Sequence, residues 1–189
     1  MIFKETKLKG AYIIELEPIL DERGFFARSF CQREFEKYGL NPCVAQCNIS
    51  YNKKKGTLRG MHYQLSPFEE ARLVRCQRGA IYDVIIDLRP DSATYCQWIG
   101  LELTACCLPL TASYRMLYVP EGFAHGFLTL EDNTEVFYQM SEFYAPGYGR
   151  GIRWNDPVFG IKWPSDVQVI SDRDRCYPDF NFQRHGPER

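Results

Sequence analysis

Ten short segments, each apolar or alternating in character, follow one another along this chain with turn residues between them, and that rhythm points to an all-β fold. They run Tyr12 to Glu17, Phe25 to Phe30, Val44 to Ser50, Leu58 to Gln64, Leu73 to Gln77, Ile81 to Leu88, Trp98 to Leu103, Met116 to Val119, His125 to Leu130 and Thr134 to Met140. Clusters such as Asp21-Glu22-Arg23-Gly24, Arg89-Pro90-Asp91-Ser92 and Pro120-Glu121-Gly122 separate them, because glycine accepts positive φ, proline fixes φ and Asp bonds its own backbone. The spacing predicts an antiparallel sandwich or barrel. One early helix is predicted over about Gln32 to Tyr38, with Phe35 and Tyr38 on one face and Gly39 as its stop.

Within Ile81 to Leu88, the residues Tyr82, Val84, Ile86 and Leu88 make one apolar face, while Asp83, Ile85 and Asp87 make a mixed one. The expectation is a sheet wall with core behind and solvent or a polar pocket in front. Asp83 can then serve a structural hydrogen bond or line the pocket. A chain of 189 residues is long enough for one well-buried core, and residues 1–182 read as one domain. Residues 183–189 lose the pattern and read as a loose tail.

Charge removes one class of partner. Lysine plus arginine (23) nearly balances aspartate plus glutamate (24), so the chain lacks the overall basic field that holds phosphate backbones, and nucleic acid is not expected as a partner. The start, Met1-Ile2-Phe3-Lys4-Glu5-Thr6-Lys7, is too polar for a signal peptide, and no apolar run approaches the length of a membrane span. A soluble protein of the cytoplasm, without membrane partners, is expected. Its eight cysteines are scattered without a Cys-x-x-Cys pair and read as reduced thiols; the adjacent pair Cys106-Cys107 suggests no role.

Chemistry concentrates in Thr57-Leu58-Arg59-Gly60-Met61-His62-Tyr63-Gln64, which sets one of only three histidines among anion-binding and hydrogen-bonding groups. That company suggests proton transfer on a phosphorylated or nucleotide-linked substrate. His62 and His125 are far apart, His185 is in the tail and no His-x-His pair exists, so the chain is short of ligands for a metal and none is expected. Strict alternation would put Arg59 and His62 on opposite faces of a strand. Both reach one pocket only if the strand bulges, and Gly60 is the place predicted for it. His125, beside glycine in Gly122-Phe123-Ala124-His125-Gly126, is read as pocket-lining or as a turn anchor. Trp154 and the loop Tyr148 to Gly151 are expected to organise the C-terminal segment.

Six blocks occur in order along almost the whole chain: Arg23-Gly24-Phe25-Phe26; Gln46-x-Asn48-x-Ser50; Leu58 to Gln64; Asp83-Val84-x-x-Asp87-Leu88-Arg89; Val119 to Phe127; and Arg150 to Pro157. Together they resemble the dTDP-4-dehydrorhamnose 3,5-epimerase family, a branch of the cupin β-barrels. The resemblance implies a cupin-like antiparallel barrel or jelly roll with a few short helices. It also implies a cofactor-free epimerase of a nucleotide-diphosphate 4-keto-6-deoxyhexose, acting as a homodimer whose sites borrow residues from both subunits.

By the same resemblance the base is His62, and its partner is Asp174 in Ile170-Ser171-Asp172-Arg173-Asp174, with Asp172 as fallback. The acid on the opposite face of the sugar is Tyr138, which read alone would be a core or edge aromatic; Tyr144 lies nearby in the next loop. Arg72 stands where the family carries a lysine near the sugar oxyanion, keeping charge but offering a planar, permanently protonated donor. Arg59, and Arg23 from a neighbouring subunit, match diphosphate-holding positions; Gln46, Asn48, Phe26 and His125 complete the substrate-binding set. Arg28 joins that set but replaces a glutamate that contacts the nucleotide, which leaves the nucleotide open. The alternative is a nucleotide-sugar-binding module that has lost catalysis.

Overall fold

A computed structural model of the chain describes residues 1–105 and 114–181. In chain order its elements are β1 (Ile2–Glu5), β2 (Tyr12–Glu15), β3 (Ile19–Asp21), β4 (Gly24–Phe26), α1 (Gln32–Lys37), β5 (Gln46–Asn52), β6 (Thr57–Gln64), β7 (Arg72–Arg78), β8 (Ala80–Asp87), β9 (Trp98–Thr104), β10 (Arg115–Val119), β11 (Phe123–Thr129), β12 (Thr134–Met140), β13 (Gly149–Gly151), β14 (Val169–Ile170) and α2 (Asp172–Arg175). Two sheets face each other, one ordered β1-β2-β10-β7-β12-β5 and the other β13-β6-β11-β8-β9, with β14 added in parallel beside β6. The all-β, cupin-like jelly roll expected from the sequence is the fold that forms. The tail from residue 183 and the pair Cys106-Cys107 lie outside the described residues.

Alternation sorts the apolar side chains into three layers. Val74, Leu117 and Val136 from the first sheet meet Ile81, Ile85 and Leu103 from the second between the sheets. Each such fully buried side chain contributes about 1.5–3 kcal/mol relative to exposure. The outer face of the second sheet, with Met61, Val84 and Ile86, is covered by Ile152, Phe159, Ile161 and Phe180. The outer face of the first, with Ile14, Leu73 and Met116, is covered by α1 through Phe35 and by Leu40. Gly39, at φ +68°, takes the left-handed conformation that stops the helix. Tyr38 caps α1 and stacks on Phe3 at 4.2 Å instead of entering the core beside Phe35.

Burial corrects the reading of β8. Its mixed face sees neither solvent nor an open pocket: Asp83, Ile85 and Asp87 are fully buried, so both faces of this strand are interior. Asp87 is compensated by Arg89, Ser92 and Thr94, each bonded to its carboxylate at 2.6–2.8 Å. The strand expected over Phe25 to Phe30 ends at Phe26, because β4 pairs only with β3 in a two-stranded arm and Arg28 turns away to an ion pair with Glu34 on α1. The short elements β1, β3, β13, β14 and α2 carry too few residues for a periodic signal.

Candidate active site

The sheets part between β5 on one side and β6, β13 and β14 on the other, leaving a cavity of about 830 Å³. That volume suits a small-molecule ligand. β6 runs along it, and the expected irregularity is present: His62 lies opposite His125 and Arg59 opposite Phe127, so Gly60 and Met61 together face Gly126 alone. Gly60 has φ +125°, and a Cβ there would stand 2.5 Å from the Gly126 Cα. The extra residue restores phase, and Arg59 and His62 both line the cavity.

Asp174 arrives from the far end of the sequence by backbone pairing. Val169 and Ile170 of β14 pair with Thr57 and Leu58 of β6, and Ser171 then caps α2 by accepting the Asp174 N–H at 3.1 Å. The Asp174 carboxylate sits 2.7 Å from His62 Nε2 through Oδ1 and accepts the Gly60 N–H at 3.2 Å through Oδ2. Burial pushes the Asp174 pKa upward, but the His62 hydrogen bond and charge and the Gly60 N–H outweigh it and hold the carboxyl below its ordinary value. An ionised carboxylate can only accept, so His62 carries its proton on Nε2 and keeps the Nδ1 lone pair. The fallback Asp172 is exposed and makes no such contact. β14 carries Asp174 to His62, and the Tyr148 to Gly151 loop forms β13, which pairs Gly151 with His62 farther along the same edge of β6, opposite β11.

Arg72 crosses the cavity floor from the first sheet to the second. Its Nη1 donates to the His62 carbonyl at 3.4 Å and to His125 Nδ1 at 3.3 Å, and its Nη2 donates to Glu70. Since a guanidinium has no lone pair to offer, His125 Nδ1 accepts and Nε2–H donates to Asp83, 2.7 Å away. His125 therefore lines the cavity with both ring nitrogens already engaged, and Asp83 takes the structural hydrogen-bonding role.

Tyr138, Gln46 and Asn48 face these groups from the first sheet, and Arg59 is steadied by Nε donating to Asn52 Oδ1 at 2.7 Å. Tyr144, from the following loop, also lines the cavity; its N–H is held by Gln46 Oε1 at 2.9 Å. Arg23, Phe26 and Arg28 are not brought to this cavity. Arg23 pairs with Asp21 within the β3–β4 arm, and the Phe26 side of that arm is open to solvent, Phe26 being 73% exposed. Sequence reasoning gave no role to Gln64, Glu70, Arg150 or Arg173. Gln64 pins the wall, accepting the Ala145 N–H at 2.6 Å and donating to the Phe68 and Phe143 carbonyls. Arg150 and Arg173 add two cations to the lining; the Ser-x-x-Asp capping signature at Ser171 was the available hint to α2. Among the described residues no group of three or more His, Cys, Asp or Glu side chains is placed to hold a metal.

The sequence model of a family described as dTDP-4-dehydrorhamnose 3,5-epimerase matches residues 5–181. A dTDP-4-dehydrorhamnose 3,5-epimerase of Methanothermobacter thermautotrophicus is 43% identical over 176 residues, covering 92% of this chain and 91% of that protein. One from Shigella flexneri is 41% identical over 171 residues, covering 90% and 91%. The crystal structure of the Bacillus anthracis dTDP-4-dehydrorhamnose 3,5-epimerase with TDP and PPi bound superposes with a TM-score of 0.88 at 40% identity, covering 95% of this chain and 99% of that one.

Proposed function

Since the chain belongs to the dTDP-4-dehydrorhamnose 3,5-epimerase family, we propose that it inverts C3 and C5, or C3 alone, of a nucleotide-diphosphate 4-keto-6-deoxyhexose, with His62 as base and Tyr138 as acid. It is an isomerase of nucleotide sugars; the alternative of a binding module that has lost catalysis is not favoured. The observation that carries the assignment of roles is the His62 and Asp174 pair, 2.7 Å apart at the wall of the cavity.

Hydrogens on C3 and C5 are acidified by the C4 ketone between them. His62 Nδ1 removes one, the electron pair moves into an enolate on the C4 oxygen, and the imidazolium is stabilised by ionised Asp174. Arg72 keeps its Nε–H and one Nη2–H without a partner among the described residues, and those donors suit the enolate oxygen. With no free N–H, His125 serves to hold Arg72. Tyr138 belongs to the sheet opposite His62, the geometry needed to return a proton to the other face of the carbon. The carbon is inverted, and the histidine proton and tyrosine phenolate reset through solvent.

Arg59 is assigned to the diphosphate, with Gln46 and Asn48 on the nucleoside or sugar. Arg23, Phe26 and Arg28 are assigned to a second copy's site in a homodimer; none of the three lines its own chain's cavity, and the β3–β4 arm exposes Ile19, Leu20, Phe25 and Phe26. One domain over residues 1–182 working in the cytoplasm fits the six free cysteines among the described residues. No helix among the described residues is long and apolar enough to cross a membrane.

Incubation in D2O with thymidine-, cytidine- and guanosine-diphosphate-linked 4-keto-6-deoxyglucose tests the reading. Deuterium at C3 and C5 is the expected result for one of them, and deuterium at C3 alone identifies a 3-epimerase. Absence of exchange at both carbons with all three would overturn it.

A further inference from the structure

Behind Arg72, outside the residues that line the cavity, lies a carboxylate that the reaction does not use. Glu70 precedes β7, its side chain is only 2% exposed, and its Oε1 accepts from Arg72 Nη2. Its other oxygen, Oε2, is buried with no hydrogen-bond partner among the described residues. An ionised carboxylate is costly to bury unless it is paired, so this one is held inside by its contact with the guanidinium.

We propose that Glu70 is a positioning residue that fixes the plane of the Arg72 guanidinium at the cavity floor. The inference rests on the reading that Arg72 lies beside the sugar's C4 oxygen. A guanidinium donates along fixed directions in its plane, unlike an ammonium, so its usefulness to an enolate depends on that plane being set. Among the described residues Arg72 has three contacts to set it. The two made by Nη1, at 3.4 Å to the His62 carbonyl and 3.3 Å to His125 Nδ1, are long and weak. The contact to Glu70 is the charge-assisted one and acts as the anchor. Without it Arg72 is free to rotate, its unpaired N–H groups lose their aim, and His125 Nδ1 loses its donor.

The test measures kcat, KM and deuterium exchange for Glu70→Ala and the isosteric Glu70→Gln, each in the natural background and in an Arg72→Gln background. In the natural background Glu70→Ala is expected to lower kcat about 10–100-fold, the scale of a misplaced catalytic group, with KM changed by no more than about twofold. Glu70→Gln, which keeps an acceptor but not the charge, should fall between. Where position 72 carries no guanidinium, replacing Glu70 should change kcat by less than about twofold, because there is nothing left to position. An unchanged kcat for Glu70→Gln and Glu70→Ala, or an equal loss in both backgrounds, would overturn the proposal and leave Glu70 structural. Should Glu70→Ala not fold, the Glu70→Gln pair of measurements decides alone. Lack of exchange by the unsubstituted protein would overturn the epimerase reading itself, a result separate from any effect at Glu70.

Discussion

At the scale of single residues, the pairing of Asp174 with His62 Nε2 leaves Nδ1 as the nitrogen with a lone pair for the proposed role as base. Asp174→Asn keeps the volume but offers no negative charge to the imidazolium, and kcat is expected to drop about 10²–10⁴-fold in a steady-state assay. The same carboxyl has a pH signature. Its folded pKa lies below its ordinary value, so its contribution to stability is present above the unfolded value of about 4 and disappears as pH falls through the lower folded value. Denaturant titrations from roughly pH 6 to pH 2 should therefore show a steeper acid loss for the natural protein than for Asp174→Asn. Cys76 shows the opposite effect of burial: its thiol is pushed up to about 11, which keeps it protonated and inert at neutral pH.

At the scale of elements, the approach of β6 to β11 depends on two facing glycines. A Cβ on Gly60 would meet the Gly126 Cα at 2.5 Å, and one on Gly126 would meet the Arg59 carbonyl oxygen at 2.8 Å. Gly60→Ala should cost about 2–4 kcal/mol from positive φ and overpacking combined, read from the shift in denaturation midpoint. Activity should fall with it, since the bulge brings Arg59 and His62 to one side. This device was legible in the sequence because a three-residue spacing cannot satisfy strand alternation without an interruption, and glycine stood in the gap. β14 was not legible: two residues held by main-chain pairing to β6 leave no hydrophobic period to read. Nor was the burial of Glu70, whose carboxylate reads as a surface charge although its partner Arg72 is two residues away, nor the partner of Asp83, since His125 comes from another strand. The arm ended early for a related reason, since Phe25 to Phe30 has the composition of a strand but no partner beyond β3.

At the scale of the whole molecule, the assignment of Arg23 to a second copy's site makes an arithmetic prediction. Arg23→Ala and His62→Asn chains should each be nearly inactive alone. After mixing and subunit exchange in equal amounts, half the dimers are mixed, and each mixed dimer contains one site with both residues intact, so activity should recover to about one quarter of the natural level. Recovery to no more than the sum of the separate activities would place Arg23 within its own chain's site. The parallel docking of β14 on β6 has a consequence in time. His62 and Asp174 are 112 residues apart in the chain. At ordinary elongation rates of about 5–20 residues per second, the histidine precedes its aspartate out of the ribosome by roughly 6–22 s. Throughout that interval the growing chain carries His62 without Asp174. On the proposed assignment of His62 as base, a chain released by a ribosome that stalls before Asp174 resembles the full protein over most of its length but is expected to turn over substrate at least as poorly as Asp174→Asn.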